Sequence, residues 1–231
     1  MEANIKKVLY SLIDEEYKKQ QDNGYPANAR PILGVPVAAL CEMAREYACR
    51  KDWQEVASTL TDKTFEETLL QILITGYACQ SFETAKERFL QFLQEIDSEK
   101  LCDAACLAFR TAIEYPHETL EWVGLLLHEH NCYKQRFAIV ILLDYFVTSD
   151  YIDQALSLYA LISPTSKTVG QALAWGYLVC FLGFGTKTIA SLTLSEHSRE
   201  LRTYIIDYML QSHRLSESQQ QTLLSLKSQI L

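Results

Sequence analysis

Apolar residues recur at intervals of three and four along nearly the whole chain, with charged and polar residues between them. This spacing collects apolar side chains on one face of a helix, whereas a half-buried strand would alternate at every second residue. The pattern predicts an all-α protein. The predicted helices span residues 3–20, 36–49, 51–60, 65–79, 82–95, 99–114, 118–130, 133–147, 151–162, 167–183, 186–193, 196–212 and 217–230.

Local signals support two of the predicted helix starts and the way in which the helices connect. Thr64 precedes Glu67 by three residues, and Ser216 precedes Gln219 by the same interval. A hydroxyl residue followed at this spacing by Glu or Gln satisfies unpaired amides at a helix entrance. The gaps between predicted helices are mostly short, and short connections make neighbouring helices antiparallel. We therefore expect a stack of helical hairpins that forms one domain over residues 1–231, without a linker.

One connection is longer than the others and contains candidate functional side chains. Residues 21–36 include prolines and glycines, which block helix continuation, together with Tyr25 and Arg30. A loop on a rigid scaffold often carries function. The alternative is a purely structural connection with Tyr25 packed beneath it.

Three helical segments each contain one residue that is unusual in its apolar surroundings: Asp103, Arg136 and Trp175. Arg136 follows Asp103 by 33 residues and Trp175 follows Arg136 by 39, close to the length of one helical-hairpin repeat. Equivalent helices of successive repeats lie side by side, so residues at matching positions face the same surface. The spacing predicts that an acid, a base and an aromatic ring line one face.

Each of these residues also has an ordinary structural interpretation. Asp103 is equally consistent with a solvated acid on a helix surface. Arg136 lies in the first turn of an apolar helix, where a cation interacts unfavourably with the helix dipole, and this mild cost suggests an anionic partner. That partner is a carboxylate, such as Asp103, Asp144 or Glu121, or a nucleic-acid phosphate. Trp175 is either a core residue or, between small neighbours, an exposed aromatic platform.

Composition narrows the function classes. The net charge of −8 and the pI of about 5.2 argue against a protein covered with positive potential, although a local basic groove remains compatible with them. Seven cysteines without a C-x-x-C pair are typical of packing residues in a reducing cytoplasm. The N-terminus does not resemble a signal peptide, and apolar runs such as residues 138–143 are shorter than a membrane span, so we expect a soluble protein with no membrane partner.

No cofactor or metal site is predicted. His128 and His130 lie two residues apart, and on a helix their side chains point in nearly opposite directions. They therefore cannot bind one ion together. The sequence has no glycine-rich phosphate loop and no nucleophile elbow.

Four segments, in this order, resemble the HEAT-like-repeat DNA alkylation repair proteins, the AlkD-type glycosylases. They are ILGVPVAALCEMA, YACQSFETAKERFLQFLQEIDSEKLCDAAC, RFAIVILLDYF and GQALAWGYLVCF. The resemblance extends from about Tyr25 to Lys227. It implies an α-solenoid of HEAT-like helical hairpins, C-shaped, that holds duplex DNA in its concave face. It further implies hydrolysis of the N-glycosidic bond of cationic alkylpurines, without extrusion of the base into a pocket.

The resemblance also assigns roles to residues. Asp103 corresponds to the catalytic aspartate of the family, and Arg136 to an arginine that approaches the DNA backbone beside the lesion. Trp175 corresponds to an indole that packs against the sugar, and Tyr25 to a tyrosine of the same cleft. If the concave face binds DNA, we expect the cations Arg30 and Lys134 to line it together with Arg136. We expect the protein to act as a cytoplasmic monomer on duplex DNA that contains alkylated bases.

The implied chemistry fits these residue types. Departure of a cationic base leaves an oxocarbenium-like sugar, which a carboxylate stabilises while it orients the attacking water. An indole face adds a smaller stabilisation, on the order of 1 kcal/mol. One position departs from the family: Glu99 replaces a second tryptophan, four residues before Asp103. This exchange removes an aromatic surface and places negative charge near the phosphates, which lowers DNA affinity.

Two further functions remain compatible with the sequence. A catalytically inactive family member would bind bent or branched DNA without releasing a base. A helical-repeat scaffold would instead bind a protein or peptide, which the acidic composition suits.

Overall fold

The computed structural model describes residues 2–23, 25–61 and 64–230, and every regular element in these ranges is a helix. The all-α prediction is confirmed. The helices are α1 (Glu2–Ser11), α2 (Glu15–Asp22), α3 (Val37–Ala48), α4 (Trp53–Ser58), α5 (Phe65–Ala78), α6 (Phe82–Glu95), α7 (Glu99–Cys106), α8 (Thr111–Glu114), α9 (Pro116–Leu126), α10 (Cys132–Tyr145), α11 (Ile152–Ala160), α12 (Lys167–Leu194), α13 (Arg199–Leu210) and α14 (Glu217–Ile230).

The predicted single helix over residues 3–20 is wrong, because the chain breaks at Asp14 and continues as two helices. The Asp14 carboxylate accepts hydrogen bonds of 2.9 Å from the amides of Glu16 and Tyr17, so this residue caps α2. Its own amide donates to the carbonyl of Gly34 at 2.9 Å. This second bond joins positions 20 residues apart, and the apolar spacing within the segment does not show it.

The predicted helix over residues 99–114 is also divided, into α7 and α8. A Cβ added to Gly76 of α5 would lie 2.3 Å from the carbonyl oxygen of Ala108. The backbone between α7 and α8 therefore packs directly on α5.

By contrast, the predicted interruption between residues 183 and 186 is confirmed, because Phe184 has non-helical angles (φ −138°, ψ 51°) and kinks α12.

Both predicted capping signals are confirmed. The Thr64 hydroxyl accepts from the amide of Glu67 at 3.1 Å, at the start of α5. The Ser216 hydroxyl accepts from the amide of Gln219 at 3.3 Å, and the Gln219 side chain accepts in return from the amide of Ser216 at 2.9 Å. These reciprocal bonds form a complete capping box at the start of α14.

Backbone contacts divide the chain into two compact units, Met1–Thr119 (unit 1) and Leu120–Leu231 (unit 2). In unit 1, α3, α4, α6 and α7 all pack against α5. In unit 2, α10 and α11 pack against α12, and α12 also packs against α13. Helices α5 and α10 are buried on almost every side, which explains why their sequences are apolar without a clear polar face. The single domain over residues 1–231 stays a prediction.

Helix α12, with 28 residues, is long and apolar enough to cross a membrane by length and composition alone. Core helices of globular proteins meet the same criterion. In unit 2 this helix packs against three others, and Val169, Leu173 and Tyr177 in its first half are fully buried. These contacts favour a role as a core helix.

Candidate nucleic-acid interface

Asp103 lies in the middle of α7, on the same helix face as Glu99. Both carboxylates are half-buried, and residues four apart on a helix are neighbours. Leu101, Cys102 and Cys106 of the same helix are fully buried. The helix therefore holds an acidic pair at the surface of unit 1, with Asp103 one turn inside the N-terminus.

The start of α7 is held by the loop that carries Tyr25. Ser98 caps the helix by accepting from the amide of Leu101 at 3.3 Å, and the Tyr25 hydroxyl lies 3.3 Å from the same Ser98 oxygen. The Tyr25 ring meets the ring of Phe65 edge-on at a centroid distance of 6.3 Å. The Lys100 ammonium lies 5.4 Å from the Tyr25 ring centroid, a cation–π contact. Tyr25 is thus half-buried against the helix that carries Asp103.

Burial raises the pKa of the Tyr25 hydroxyl above its usual value of 10.0. The hydrogen bond with Ser98 acts in the opposite direction, and the nearby charges of Asp97 and Glu66 raise the pKa further. Tyr25 is consequently a neutral hydrogen-bonding group at physiological pH and not a general base.

Arg30 attaches the same loop to the connection between α6 and α7. Its amide and its Nη1 each donate to Oδ2 of Asp97 at 3.0 Å, and Nη1 also donates to the carbonyl of Glu95 at 2.8 Å. The Arg30 side chain is only 17 % exposed. On the other side of the loop, the Lys100 ammonium donates to the carbonyl of Gln21. The loop is therefore attached to the first turn of α7 through Lys100 and to the residues just before this helix through Arg30.

A buried carboxylate fixes the last part of the loop. Glu66 accepts from the amides of Leu33 (2.8 Å), Gly34 (2.7 Å) and Val35 (3.2 Å), and Glu66 is only 1 % exposed. Gly34 has a φ of +101°, and a Cβ there would lie 2.6 Å from Cβ of Lys18. Only glycine fits this position without strain. Glu66 therefore holds the loop by charge-assisted hydrogen bonds from α5.

In unit 2, Arg136 is buried beside the first turn of α12. The residue is 6 % exposed, and its Nη1 donates to the carbonyl of Thr168 at 2.9 Å. Trp175 lies seven residues, nearly two turns, after Thr168, so the two residues share one face of α12. Trp175 is half-buried. Its neighbour Gly176 packs against the ring of Tyr159, where a Cβ would approach the ring atoms to 2.8 Å.

Lys134, the remaining predicted DNA-binding residue, lies in the first turn of α10. Its ammonium pairs with Glu129 at 3.4 Å, and its side chain is 17 % exposed. Asn131 caps this helix by accepting from the amides of Tyr133 and Lys134. The Lys134 charge is thereby held close to the helix start by an acidic neighbour.

Within each unit, the structure brings part of the predicted set together. In unit 1, Tyr25 and Arg30 both contact the residues that begin the helix of Asp103. In unit 2, Arg136 contacts the helix of Trp175. The roles assigned to these residues, and to Lys134, stay predictions. In the described part of the chain, no group of three or more His, Cys, Asp or Glu side chains has a metal-binding arrangement.

Sequence analysis missed four residues that hold the loop of Tyr25 and Arg30 in unit 1: Asp97, Ser98, Lys100 and Glu66. Ser98 directly precedes an apolar helical run and is a readable cap signal. Glu66 offers no such signal, because the amides it accepts from lie up to 33 residues away in the chain.

Comparison with known proteins agrees with the resemblance. A family model described as DNA alkylation repair enzyme matches residues 5–175, a range that includes Tyr25, Asp103 and Arg136 and ends at Trp175. No curated protein and no solved structure matches the chain. Because the matched range covers well over half of the 231 residues, this chain belongs to the DNA alkylation repair enzyme family, and its role is in DNA alkylation repair.

Proposed function

We propose that this protein is a DNA glycosylase that binds duplex DNA and hydrolyses the N-glycosidic bond of cationic alkylpurines. The resemblance assigns Asp103 to the family's catalytic aspartate, and the observation that carries the proposal is the setting of this residue in the structure. It is half-buried on α7, whose start is fixed by Tyr25 and Arg30. A carboxylate held in this way is pre-organised, so it stabilises developing positive charge without reorganising during the reaction.

The reaction is a substitution by water at C1′ of the lesion nucleotide. The C1′–N bond breaks, and its electron pair neutralises the positive charge of the purine, which leaves as a neutral base. A water oxygen bonds to C1′ and releases a proton, which leaves an abasic site. Asp103 faces the positive charge that develops on the sugar and orients the water. Because the base is already cationic, no protonated acid is required.

Arg136 and Trp175 have supporting roles in this proposal. The Arg136 guanidinium would contact the DNA backbone, and the Trp175 indole would pack against a sugar, where its face favours positive charge. The buried position of Arg136 restricts it to a short-range contact with a defined geometry. The proposal keeps the expectation of a HEAT-like α-solenoid and of a cytoplasmic monomer. All seven cysteines are free thiols, as is usual for a protein in a reducing compartment.

Glu99 affects binding more than chemistry. Its carboxylate lies one turn before Asp103 on the same face, so it repels phosphates, and Lys100 only partly offsets it. We therefore expect weak, salt-sensitive binding to unmodified duplex.

The experiment is base release from duplex DNA that contains N7- or N3-methylated purines, with the free base quantified by chromatography. The wild type should release methylated base, and Asp103→Asn should not. Asp150→Asn, which makes the same change at an exposed turn, should retain full activity. Absence of release by the wild type would contradict the enzymatic claim. Salt-dependent binding without release would identify the catalytically inactive, DNA-binding alternative.

A further inference from the structure

Two exposed arginines flank one tyrosine ring at the surface of unit 1. Arg45 lies in the last turn of α3, Tyr77 in the last turn of α5, and Arg110 between α7 and α8. The guanidinium carbons lie 5.8 Å (Arg45) and 5.7 Å (Arg110) from the Tyr77 ring centroid, both within the cation–π range. We call these three residues the Arg–Tyr–Arg cluster.

Packing of the backbone creates this cluster. The close contact between Gly76 and Ala108 places the residues after α7 directly on the end of α5, so that Arg110 reaches the ring next to Gly76. Helix α3 packs along the other side of α5 and supplies Arg45. Arg45, in the last turn of α3, is also stabilised by the dipole of that helix.

The ring itself is fixed and uncharged. Burial raises the pKa of the Tyr77 hydroxyl to about 12, and the neighbouring Cys41 thiol acts in the same direction. The tyrosine is therefore neutral at physiological pH and half-buried between the two arginines.

Both guanidiniums keep their N–H groups available for a ligand. Among the described residues, neither Arg45 nor Arg110 forms an ion pair or a hydrogen bond through its side chain. Other arginines differ in this respect: Arg50 donates twice to Asp52, and Arg30 is bonded to Asp97. A guanidinium in cation–π contact with a ring still presents N–H groups, whose fork geometry matches the oxygens of a phosphate.

Acidic residues near the Arg–Tyr–Arg cluster limit the range over which its positive charge acts. Glu42 and Glu46 are exposed on α3 beside Arg45, and Glu114 is exposed four residues after Arg110. These charges weaken the long-range positive potential. The cluster is therefore suited to direct, short-range contact with a phosphate and not to attraction of DNA from a distance.

We propose that Arg45, Tyr77 and Arg110 form a phosphodiester-binding site through which unit 1 contacts the DNA backbone. The proposal rests on the proposed function, because it takes DNA as the source of the phosphates. Arg45 and Tyr77 lie on α3 and α5, and α5 also packs against α7, the helix that carries Asp103. Arg110 follows Asp103 by seven residues and lies just beyond the end of α7.

The experiment measures the affinity for an unmodified, fluorescently labelled duplex between about 50 and 200 mM NaCl. Each phosphate contact contributes about 0.9 to the magnitude of the slope of log K against log salt. Arg45→Ala and Arg110→Ala should each reduce this magnitude by about 1, and the double variant by about 2. Each variant should also lose about tenfold in affinity at fixed salt, as expected for a lost bond to a charged group.

Two controls separate contact from general effects. Arg50→Ala removes the same charge just after α3, but its guanidinium is held by Asp52, so the slope should equal that of the wild type. Tyr77→Phe keeps the ring and should retain wild-type binding, whereas Tyr77→Leu removes the platform and should lower affinity. Circular dichroism confirms that each variant is folded. Inorganic phosphate, titrated at constant ionic strength, should compete weakly if the site favours a duplex backbone.

The outcomes distinguish failure of the phosphodiester site from failure of the proposed function. Unchanged slopes for Arg45→Ala and Arg110→Ala, with wild-type binding and base release intact, would overturn the phosphodiester site alone. Strong competition by inorganic phosphate would instead identify a site for the free anion and would also overturn it. Absence of duplex binding by the wild type would contradict the proposed function and, with it, this site.

Discussion

The Tyr25 hydroxyl lies 3.3 Å from Oγ of Ser98, the hydroxyl that caps the helix on which Asp103 lies. A loop residue and a helix cap therefore share one hydrogen bond. Arg30 adds a second attachment to the adjacent Asp97. The loop consequently supports the candidate catalytic helix. Tyr25 is therefore a packed residue, and its packing also serves the candidate site.

Removal of the shared cap should affect both stability and activity. Ser98→Ala loses the bond to the Leu101 amide and the contact with Tyr25, so we expect a loss of about 1 kcal/mol in the free energy of unfolding. Base release should fall as well, because α7 is less well positioned. Ser81→Ala, which removes the exposed cap of α6, is the control. Urea unfolding and base release check both variants; equal activity losses would contradict the supporting role of Ser98.

Adjacent glutamates should respond differently to the same substitution. Glu66→Gln cannot accept from all three loop amides, and the free energy of unfolding should fall by about 1–3 kcal/mol. Glu67 is equally buried, but its pairing with Lys6 is long (3.6 Å), and its Oε2 has no partner among the described residues. Because Lys6 is 25 % exposed and keeps access to water, Glu67→Gln should cost less than Glu66→Gln. Chemical denaturation of both variants tests this, and a larger loss for Glu67→Gln would contradict it.

Two glycines of α12 should also differ. A Cβ at Gly176 would lie 2.8 Å from the Tyr159 ring, which is fully buried and bonded to the carbonyl of Ile139. Gly176→Ala should cost about 1–3 kcal/mol through overpacking. A Cβ at Gly183 would meet no atom of the described residues within 4 Å, so Gly183→Ala should be neutral or stabilising by up to about 1 kcal/mol. Thermal melts of the two variants provide the comparison.

Stability should decrease at mildly acidic pH because of His197. This residue is 5 % exposed and lies 3.3 Å from the Tyr177 hydroxyl. Burial lowers its pKa below the usual 6.5, and the charge of Arg202 acts in the same direction. The unfolded chain therefore binds a proton first as the pH falls below 6.5, and stability is lost until the pH passes the lowered value.

The test compares melting temperatures between about pH 7.5 and pH 5.5. His197→Gln should show a smaller decrease than the wild type, because it removes the buried titrating group. His213→Gln, which changes an exposed histidine, should follow the wild-type profile. Identical pH profiles for the wild type and His197→Gln would show that another group is responsible.

The sequence was sufficient for the features that depend on local pattern. Apolar spacing predicted the helices and, with separate segments over 167–183 and 186–193, the interruption of α12, and the hydroxyl-to-Gln spacing predicted the cap at Ser216. The sequence did not predict helix ends that depend on contacts with a distant segment of the chain. The break at Asp14 depends on Gly34, and the end of α7 depends on the contact of Ala108 with Gly76.

In the candidate site, too, residues with a local sequence signal were predicted and residues defined by distant contacts were not. Asp103 and Trp175 stood out by their type and spacing, whereas Glu66 did not, since its partners are remote. For Arg136 the sequence offered a carboxylate or a phosphate as partner, but the structure also provides the carbonyl of Thr168. A backbone acceptor has no sequence signature, so spacing alone could not have indicated this contact.

The most direct test of the central claim is the single-turnover rate of base release by the wild type and by Asp103→Asn, with the affinity for the same methylated duplex measured in parallel. We predict a loss of at least roughly 10²-fold in rate, with affinity unchanged or slightly higher, because a carboxylate that acts on the transition state contributes little to ground-state binding. Equal rates of release by the two proteins would contradict the assignment of Asp103 as the catalytic residue.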